Sequence, residues 1–308
     1  MILVTGGAGY IGSQLVQEIP KHESFQGETI RILDNMFRER YVTLWSLPKE
    51  VKFEFIEGDI TKEEDVKRAM KDVHLVFHLA AITNAPLSFE RKELTKQVNL
   101  IGTKNVLKHA LKNNVERLVY SSTASVYGPV EGIVREDHEC KPESPYGLYK
   151  LLGEKECIRA YQENGLKTLA PRLSTVYGYS IGMRVDTVVN RFSYLAATGN
   201  PLTLFGTGEQ RRPFLHLRDA VNMFLFLITH TDAIGEIYNV VGQNASINEI
   251  ITIIRKFIPD AKIKRLTGTK HLEELSYMLD DSRIRRLGYK TRYNLEEGTM
   301  ELLDKFGR

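Results

Sequence analysis

The sequence lacks the features that mark disulfide-stabilised and membrane-spanning proteins. Its 308 residues contain two cysteines, Cys140 and Cys157, whose spacing fits no metal-ligand pattern. So few cysteines in a chain of this length indicate free thiols in a reducing compartment. No apolar run approaches the roughly 20 residues that a membrane span requires. Met1 is followed at once by an apolar strand and a glycine turn, a pattern unlike a signal peptide, so we expect a cytoplasmic protein without a metal site.

An excess of either charge is also missing. The 42 lysine and arginine residues nearly balance the 39 aspartate and glutamate residues, and the formal net charge is +3. This balance gives no argument for a nucleic-acid partner or for a membrane surface as partner. A basic cluster at Arg283, Arg285 and Arg286 has the helical spacing that is typical of a solvated face.

Short β-rich runs alternate with helical patterns through the first half of the chain. The β-rich runs are residues 2–4, 29–34, 51–57, 75–77 and 118–120, and helical patterns include residues 63–70 and 95–112. This alternation predicts βαβ units and therefore a parallel sheet that is covered by helices on both faces. The expected fold class is α/β, with a Rossmann-type doubly wound parallel sheet over residues 1–172.

Beyond Arg172 the alternation is looser. Helical patterns remain at residues 218–229 and 247–257, and the second is preceded by Ser246 with Glu249 in the position of a capping box. We predict that residues 173–308 form mainly a smaller C-terminal α/β lobe, while segments at about residues 210–240 return to the sheet of the first domain.

A glycine motif follows the first strand directly. Gly6, Gly9 and Gly12 bracket Tyr10 and Ile11, and this spacing permits a tight turn and close backbone approach to a pyrophosphate. A helix N-terminus then presents free N–H groups to the negative charge. Because the motif follows a strand and opens a helix, we interpret it as a dinucleotide site and not as a merely structural turn.

Asp34 closes the second strand about 20 residues after the glycines, where a carboxylate accepts hydrogen bonds from the adenosine ribose. A carboxylate there also repels a 2′-phosphate, so the predicted cofactor is NAD and not NADP. Arg38 and Arg40 lie close by and weaken that preference, although we interpret them as part of a solvated loop.

Tyr146 and Lys150 are four residues apart, which places both side chains on one face of a helix. Removing a proton from a sugar hydroxyl near neutral pH requires a tyrosine whose pKa is lowered from its usual value of about 10. A nearby ammonium and a positive nicotinamide ring both favour phenolate, so we expect a lowered pKa for Tyr146. Lys150 can also hold the nicotinamide ribose.

Hydroxyl groups cluster at residues 121–128, at the end of a strand, and include Ser121 and Thr123. The carboxyl end of a strand faces the crevice in which open α/β sheets bind ligands. Thr123 can therefore hydrogen-bond the reacting oxygen and share its proton with Tyr146. Alternatively, these hydroxyls simply satisfy a strand end. The occurrence of the glycine motif, the hydroxyl cluster and the Tyr–Lys helix in this order is a specific indication of a dinucleotide-dependent enzyme, although none of the three motifs is specific by itself.

Together these motifs resemble the extended short-chain dehydrogenase/reductase superfamily, in its NAD-dependent epimerase/dehydratase branch, and are most similar to UDP-glucose 4-epimerases. The resemblance covers nearly the whole chain. It implies an NAD-binding Rossmann domain, a C-terminal lobe for a nucleotide sugar, and a homodimer joined through a helix bundle. It also implies further cofactor-site residues, which are Asn35, Asp59 and Ile60 near the adenosine, Leu79, Ala80 and Ala81 along the cofactor path, Ser121, and Asn99 supporting the site from its helix.

For the nucleotide sugar, the resemblance implies that the backbone at Leu204 and Phe205 borders the base and that Arg212 binds the diphosphate. A guanidinium group suits bidentate phosphate recognition, although Arg212 can also be read as a surface residue. Thr175 lies in a strand-end motif where family epimerases usually carry asparagine. Lys270 is the nearest basic candidate where the family often has a second arginine.

The residues after Thr123 bear on the reaction. Dehydratases and decarboxylases of the family carry an acidic residue there, whereas this chain has Ala124 and Ser125. We therefore predict a UDP-hexose 4-epimerase that acts through a transient 4-keto sugar, with Thr123, Tyr146 and Lys150 as catalytic residues. A 4-ketosugar reductase with the same residues is the main alternative. A non-catalytic dinucleotide-sensing regulator is the other, and the retained Tyr–Lys pair argues against it.

Overall fold

A computed structural model describes residues 1–49, 51–266 and 276–307. The strands in these ranges are β1 (Ile2–Thr5), β2 (Ile30–Asp34), β3 (Phe53–Glu57), β4 (Leu75–His78), β5 (Arg117–Tyr120), β6 (Ser122–Thr123), β7 (Glu131–Val134), β8 (Lys167–Leu173), β9 (Thr175–Tyr177), β10 (Leu202–Phe205), β11 (Arg211–His216), β12 (Ile237–Val240), β13 (Gln243–Ser246), β14 (Ile263–Leu266) and β15 (Ser276–Leu279).

The α-helices in the same ranges are α1 (Tyr10–Glu18), α2 (Val42–Trp45), α3 (Glu63–Ala69), α4 (Ala85–Glu90), α5 (Lys92–Lys96), α6 (Thr103–Lys112), α7 (Pro145–Asn164), α8 (Val188–Ala197), α9 (Leu217–Thr229), α10 (Ile247–Phe257), α11 (Ser282–Arg286) and α12 (Leu295–Lys305). None of these described helices combines the length and the apolar character that a membrane span requires.

Eight of the described strands form one parallel sheet in the order β12–β8–β5–β4–β1–β2–β3, with β6 also paired to β8. Side chains alternate between its two faces. Ile2 and Val4 join an apolar cluster with α1 and α9, whereas Leu3 joins a second cluster with α3 and α6. Helices therefore cover both faces, and the predicted doubly wound Rossmann-type fold is confirmed.

Later segments form a smaller lobe beside this sheet. Strands β13, β11 and β9 make a three-stranded sheet, while β10 pairs with β14 and β7 pairs with β15. Helices α8, α10 and α12 pack around an apolar cluster that includes Val189, Ile250 and Leu302. Between the strands of this lobe, β12 returns to the large sheet beside β8, and α9 packs against α1.

Local signals account for several element boundaries. Ser246 Oγ accepts a hydrogen bond from the Glu249 amide at 3.1 Å, and Glu249 Oε2 accepts one from the Ser246 amide at 3.0 Å, which confirms the capping box before α10. The continuous helix predicted over residues 95–112 is instead α5, a π-helical segment at Gln97–Gly102, and α6. Such π segments recur at functional sites.

Candidate active site

A cleft of about 1110 Å³ lies at the carboxyl ends of the parallel strands. Crevices in this position bind ligands in open α/β sheets. Its volume exceeds the roughly 300–1,000 Å³ that is typical of a site for one small molecule. Residues from the glycine turn, the ends of β2 to β5, helix α7 and the loop after β9 line it together.

The glycine turn forms one wall. Gly6 has φ +71°, and a Cβ atom there would lie 2.7 Å from the amide nitrogen of Ala80. A Cβ atom at Gly12 would lie 2.1 Å from the carbonyl oxygen of Gly6, so glycine is required at both positions. Helix α1 then begins after Gly9, whose position has no side-chain cap, and Tyr10 and Ile11 line the cleft. The turn therefore fits a pyrophosphate group.

Two carboxylates mark the ends of β2 and β3. Asp34 accepts hydrogen bonds from the amides of Ala8, at 3.0 Å, and Met36, at 2.9 Å. Burial nonetheless raises the pKa of Asp34. Asn35 Nδ2 donates to Asp59 Oδ2 at 3.1 Å. Both carboxylates line the cleft, where they can face ribose hydroxyls.

Beside them, Arg38 is exposed, as expected of a solvated loop. Arg40 is half-buried and donates a hydrogen bond from Nη2 to the Met183 carbonyl oxygen at 3.2 Å. Arg40 therefore joins the loop after β2 to the loop after β9 and does not lie in a free loop.

The predicted cofactor path also lines the cleft, through Ile60, Leu79, Ala80, Ala81 and Ser121. Asn99 lies behind the lining. Its Oδ1 accepts from the Ile82 amide at 2.8 Å, and its Nδ2 donates to the Ile82 carbonyl oxygen at 2.9 Å. Asn99 thus fixes the loop after β4 from within the π-helical segment.

Helix α7 positions the predicted catalytic pair. Ser144 Oγ accepts a hydrogen bond from the Gly147 amide at 3.1 Å, and Pro145 begins the helix. A Cβ atom at Gly147 would lie 2.5 Å from the Ser125 carbonyl oxygen. Glycine therefore lets the helix approach the hydroxyl-rich loop closely enough for Tyr146 to meet Thr123.

Thr123, Tyr146 and Lys150 all line the cleft. The Tyr146 and Thr123 side chains lie close enough to interact, and this interaction favours the phenolate form of Tyr146. Lys150 is 3% exposed, and its Nζ lies 4.1 Å from the ring centroid of Tyr120, in a cation–π contact. The structure thus brings a hydroxyl, a phenol and an amine together next to the glycine turn.

Electrostatics at this group differ from the expectation of a lowered tyrosine pKa. Burial raises the pKa of Tyr146, and the interaction with Thr123 and the charge of Arg184 only partly oppose it. Burial also lowers the pKa of Lys150 to about 7, so this residue is a weaker source of positive charge than its type suggests. A positive nicotinamide ring, when bound, would favour the phenolate form.

A salt bridge that sequence reasoning missed stands opposite Tyr146. Arg184 Nη2 lies 2.7 Å from Asp186 Oδ2, Arg184 Nη1 donates to Thr83 Oγ1 at 2.8 Å, and Asn84 Nδ2 donates to Asp186 Oδ2 at 3.1 Å. Arg184 outweighs burial and holds the pKa of Asp186 at about 2. The sequence feature that could have indicated this salt bridge is the Arg-x-Asp pattern at residues 184–186, which follows the glycine-rich segment at residues 178–182.

The predicted substrate residues are only partly brought together. Thr175 lines the cleft, whereas Leu204, Phe205 and Arg212 are not among its lining residues. Arg212 faces Tyr277, which sequence reasoning missed and which does line the cleft. Lys270 lies outside the described residues.

A model of the NAD dependent epimerase/dehydratase family matches residues 2–241. The chain belongs to this family. A putative UDP-glucose 4-epimerase from Methanocaldococcus jannaschii is 31% identical over 99% of this chain and 97% of its own length. A dTDP-D-glucose 4,6-dehydratase from Mus musculus is 28% identical over 98% and 87% of the two chains.

Solved structures give the same assignment. UDP-glucuronic acid 4-epimerase from Bacillus cereus, in complex with UDP-glucuronic acid and NAD, has a TM-score of 0.89 and 30% identity, with 99% of this chain and 98% of that chain covered. The cofactor of this chain is NAD, and the glycine turn and Asp34 fit it.

Proposed function

We propose that the chain is an NAD-dependent UDP-hexose 4-epimerase that acts through a transient 4-keto sugar. The observation that carries the proposal is the meeting of Thr123, Tyr146 and Lys150 in the cleft that the glycine turn also lines. This arrangement provides one proton relay beside the turn that fits NAD, and 4-epimerisation further requires that the keto sugar turn its other face to the cofactor before the hydride returns.

Each residue has a chemical task in this proposal. The Thr123 hydroxyl hydrogen-bonds the 4-oxygen of the sugar and orients it. The Tyr146 oxygen takes the hydroxyl proton as the carbon is oxidised and returns it when the carbon is reduced on its other face. Lys150 places a cation on the same helix face and holds the cofactor ribose. NAD, when bound, accepts the hydride and gives it back, so the cycle is redox-neutral.

The carboxylates of the cleft support epimerisation over dehydration. Those among the described lining residues are Asp34, Asp59 and Asp186. Asp34 ends β2, Asp59 lies two residues after β3, and Asp186 is paired with Arg184, which holds its pKa at about 2. An acid with this pKa is ionised near neutral pH and cannot donate a proton to a leaving hydroxide. With Ala124 and Ser125 after Thr123, none of these three carboxylates occupies the position at which dehydratases of the family carry their acid.

The nucleotide is proposed from the relatives, whose names specify UDP-glucose and UDP-glucuronic acid. We assign the base to the backbone at Leu204 and Phe205 and the diphosphate to Arg212, with Lys270 as a second cation. Thr175 lines the cleft at the end of β9 and is proposed to contact the sugar nucleotide.

We further propose a homodimer. Helix α4 exposes Phe89, and α7, on which it packs, exposes Leu148. Exposed apolar side chains on neighbouring helices favour association with a second helix pair. Light scattering after size exclusion is expected to give twice the 35.2 kDa of one chain, and a mass of 35.2 kDa would contradict the dimer.

The test is to incubate the protein with UDP-glucose and, separately, with UDP-galactose, and to separate the products by anion-exchange chromatography. We expect both reactions to reach the same mixture of 4-epimers without net change in absorbance at 340 nm. Stoichiometric consumption of NADH would identify a reductase, and a product lacking one water would identify a dehydratase. No turnover of any nucleotide sugar, together with NAD binding, would favour a regulator.

A further inference from the structure

A buried carboxylate lies directly behind the proposed catalytic residues. Glu154 is 1% exposed and accepts three hydrogen bonds, from Ser122 Oγ at 2.7 Å and from Arg172 Nη2 and Nε at 2.6 and 3.0 Å. Glu154 lies on α7 one turn after Lys150, and Ser122 immediately precedes Thr123. One carboxylate therefore joins the helix and the strand that carry the site.

The strand that carries Thr123 is only two residues long and depends on this attachment. Ser122 is paired with Arg172, and Thr123 with Leu173, along β8. Because Ser122 and Arg172 both donate to Glu154, the carboxylate fixes β6 to β8 and to α7 at once. A strand this short has little other backbone pairing to hold the Thr123 hydroxyl in place.

Arg172 is held on its other side as well. Its Nη1 donates to Tyr127 Oη at 2.9 Å and to the Glu136 carbonyl oxygen at 3.2 Å, and Tyr127 Oη donates to Asn239 Oδ1 at 2.6 Å. Buried charged groups that are paired and hydrogen-bonded on every side have few alternative arrangements. The ion pair therefore gives Glu154 a defined position.

The charge of Glu154 also acts on Lys150. Burial lowers the pKa of Lys150, and Cys157 and Glu154 oppose this effect. Other titratable groups face Lys150 from the same helix, Tyr146 and Cys157, and from β4 and β5, His78 and Tyr120.

Burial keeps these four groups neutral near pH 7, since it raises the pKa values of the two tyrosines and the cysteine and lowers that of His78 to about 3. Among these described neighbours of Lys150, Glu154 is thus the one that contributes a charge.

We propose that Glu154 is a positioning residue, which fixes Thr123 through Ser122 and holds Lys150 in its cationic form through its own negative charge. The inference rests on the proposed epimerase function for its kinetic consequences. Its two effects are separable, because Ser122 carries only the first of them.

The experiment compares Glu154→Gln, Glu154→Asp and Ser122→Ala, with Glu163→Gln, an exposed carboxylate on the same helix, as control. Two quantities are measured: kcat as a function of pH, and the titration of the Lys150 ammonium by NMR of ¹⁵N-lysine-labelled holoenzyme, assigned with Lys150→Met. The titration requires no turnover, so a failure of the epimerase proposal does not affect it.

We expect Glu154→Gln to lower kcat roughly 10- to 100-fold through misplacement of Thr123. Without the negative charge, Lys150 loses its proton at a lower pH, so its titration and the alkaline limb of kcat both move to lower pH. In Glu154→Asp we expect the Lys150 titration to return to its wild-type position. Ser122→Ala is expected to lower kcat without moving the Lys150 titration, and Glu163→Gln is expected to change neither quantity.

Wild-type kcat and an unmoved Lys150 titration in Glu154→Gln would overturn the inference. Since the single variant leaves Arg172 buried without its partner, it can fail to fold. The double variant Glu154→Gln with Arg172→Met removes both charges, and a smaller shift of the Lys150 titration in the same direction is expected, because loss of the positive Arg172 offsets part of the effect. An unshifted titration in the folded double variant overturns the inference equally.

Discussion

Tyr10 Oη donates a hydrogen bond of 2.6 Å to the carbonyl oxygen of Gly178 and so joins the cofactor turn to the loop after β9. Asn190 Nδ2 donates to the same phenol oxygen at 3.2 Å. The loop that begins at Gly178 carries Arg184 and Asp186 along the cleft. The wall that carries Arg184 and Asp186 is therefore attached to the glycine turn that is proposed to hold the cofactor.

This attachment predicts that Tyr10→Phe weakens cofactor retention. Removing the phenol oxygen leaves the buried Gly178 carbonyl and the Asn190 amide without this partner, at a cost of about 1–3 kcal/mol. We expect NAD to dissociate several-fold faster, as measured by its loss during dialysis and its quantification after denaturation. The control is Tyr194→Phe, a partly exposed tyrosine on α8. Equal NAD retention in Tyr10→Phe and wild type would contradict the prediction.

A second prediction concerns cofactor choice. Asp34→Asn removes the negative charge that repels a 2′-phosphate, so the ratio of NADPH to NADH affinity is expected to rise about tenfold or more. Affinity for NADH itself falls, because an asparagine cannot accept from both the Ala8 and Met36 amides. Fluorescence titration with each reduced cofactor measures the ratio. Asp59→Asn, at the next strand end, is expected to leave the ratio unchanged, and a similar change in both variants would count against Asp34.

A third prediction separates chemistry from binding. Tyr146→Phe keeps the half-buried ring but removes the oxygen that relays the proton, so turnover is expected to fall about 10²- to 10⁴-fold while NAD binding persists. Thr123→Val keeps the volume and removes the hydroxyl, and a smaller fall is expected. Single-turnover absorbance at 340 nm and NAD quantification provide the two readouts. Undiminished turnover in Tyr146→Phe would refute the assigned mechanism.

The elements that could be predicted from the sequence are those whose determinants are local. The glycine turn, Asp34 and the Tyr146–Lys150 helix each depend on residues close together in the sequence. The strand, turn and helix that form such a site can therefore be recognised within a single short segment. The capping box at Ser246 is of the same kind. The π-helical segment around Asn99 was not predicted, and the hydrogen bonds that Asn99 makes within it reach Ile82, 17 residues away, where no local pattern reveals them.

The remaining parts of the site depend on distant contacts. Arg184 faces Tyr146 across the cleft, and Glu154 meets Arg172 only after β8 has joined the sheet. Neither contact has a short-range pattern. The raised pKa of Tyr146 was missed for a related reason, since the sequence lists neighbouring charges but burial is a property of the packed molecule.

The last prediction follows from the buried amine of Lys150. The pKa of Lys150 is about 7 in the folded chain, compared with 10.5 for an ordinary lysine such as that of the unfolded chain. Between pH 7 and pH 10.5 the unfolded chain therefore holds a proton that the folded chain has lost. The free energy of unfolding therefore rises with pH across this window, and below pH 7 the folded protein must contain a buried ammonium. Lys150→Met removes this cost. In cofactor-free protein we expect the variant to be more stable at pH 6, by about 2 kcal/mol, because the cation–π contact with Tyr120 offsets part of the gain.

The advantage of the variant is expected to shrink as the pH rises toward 10, because the free energy needed to deprotonate Lys150 on folding falls as the pH approaches the value of 10.5 at which an unfolded lysine loses its proton. Urea denaturation at pH 6, 8 and 10 measures it. Lys167→Met, at an exposed position, provides the matched control without a buried ammonium. An advantage that stays constant with pH would show that the charge of Lys150 does not destabilise the folded protein. A variant that is more stable at pH 6 but inactive would show that the site retains this lysine for function at the expense of stability.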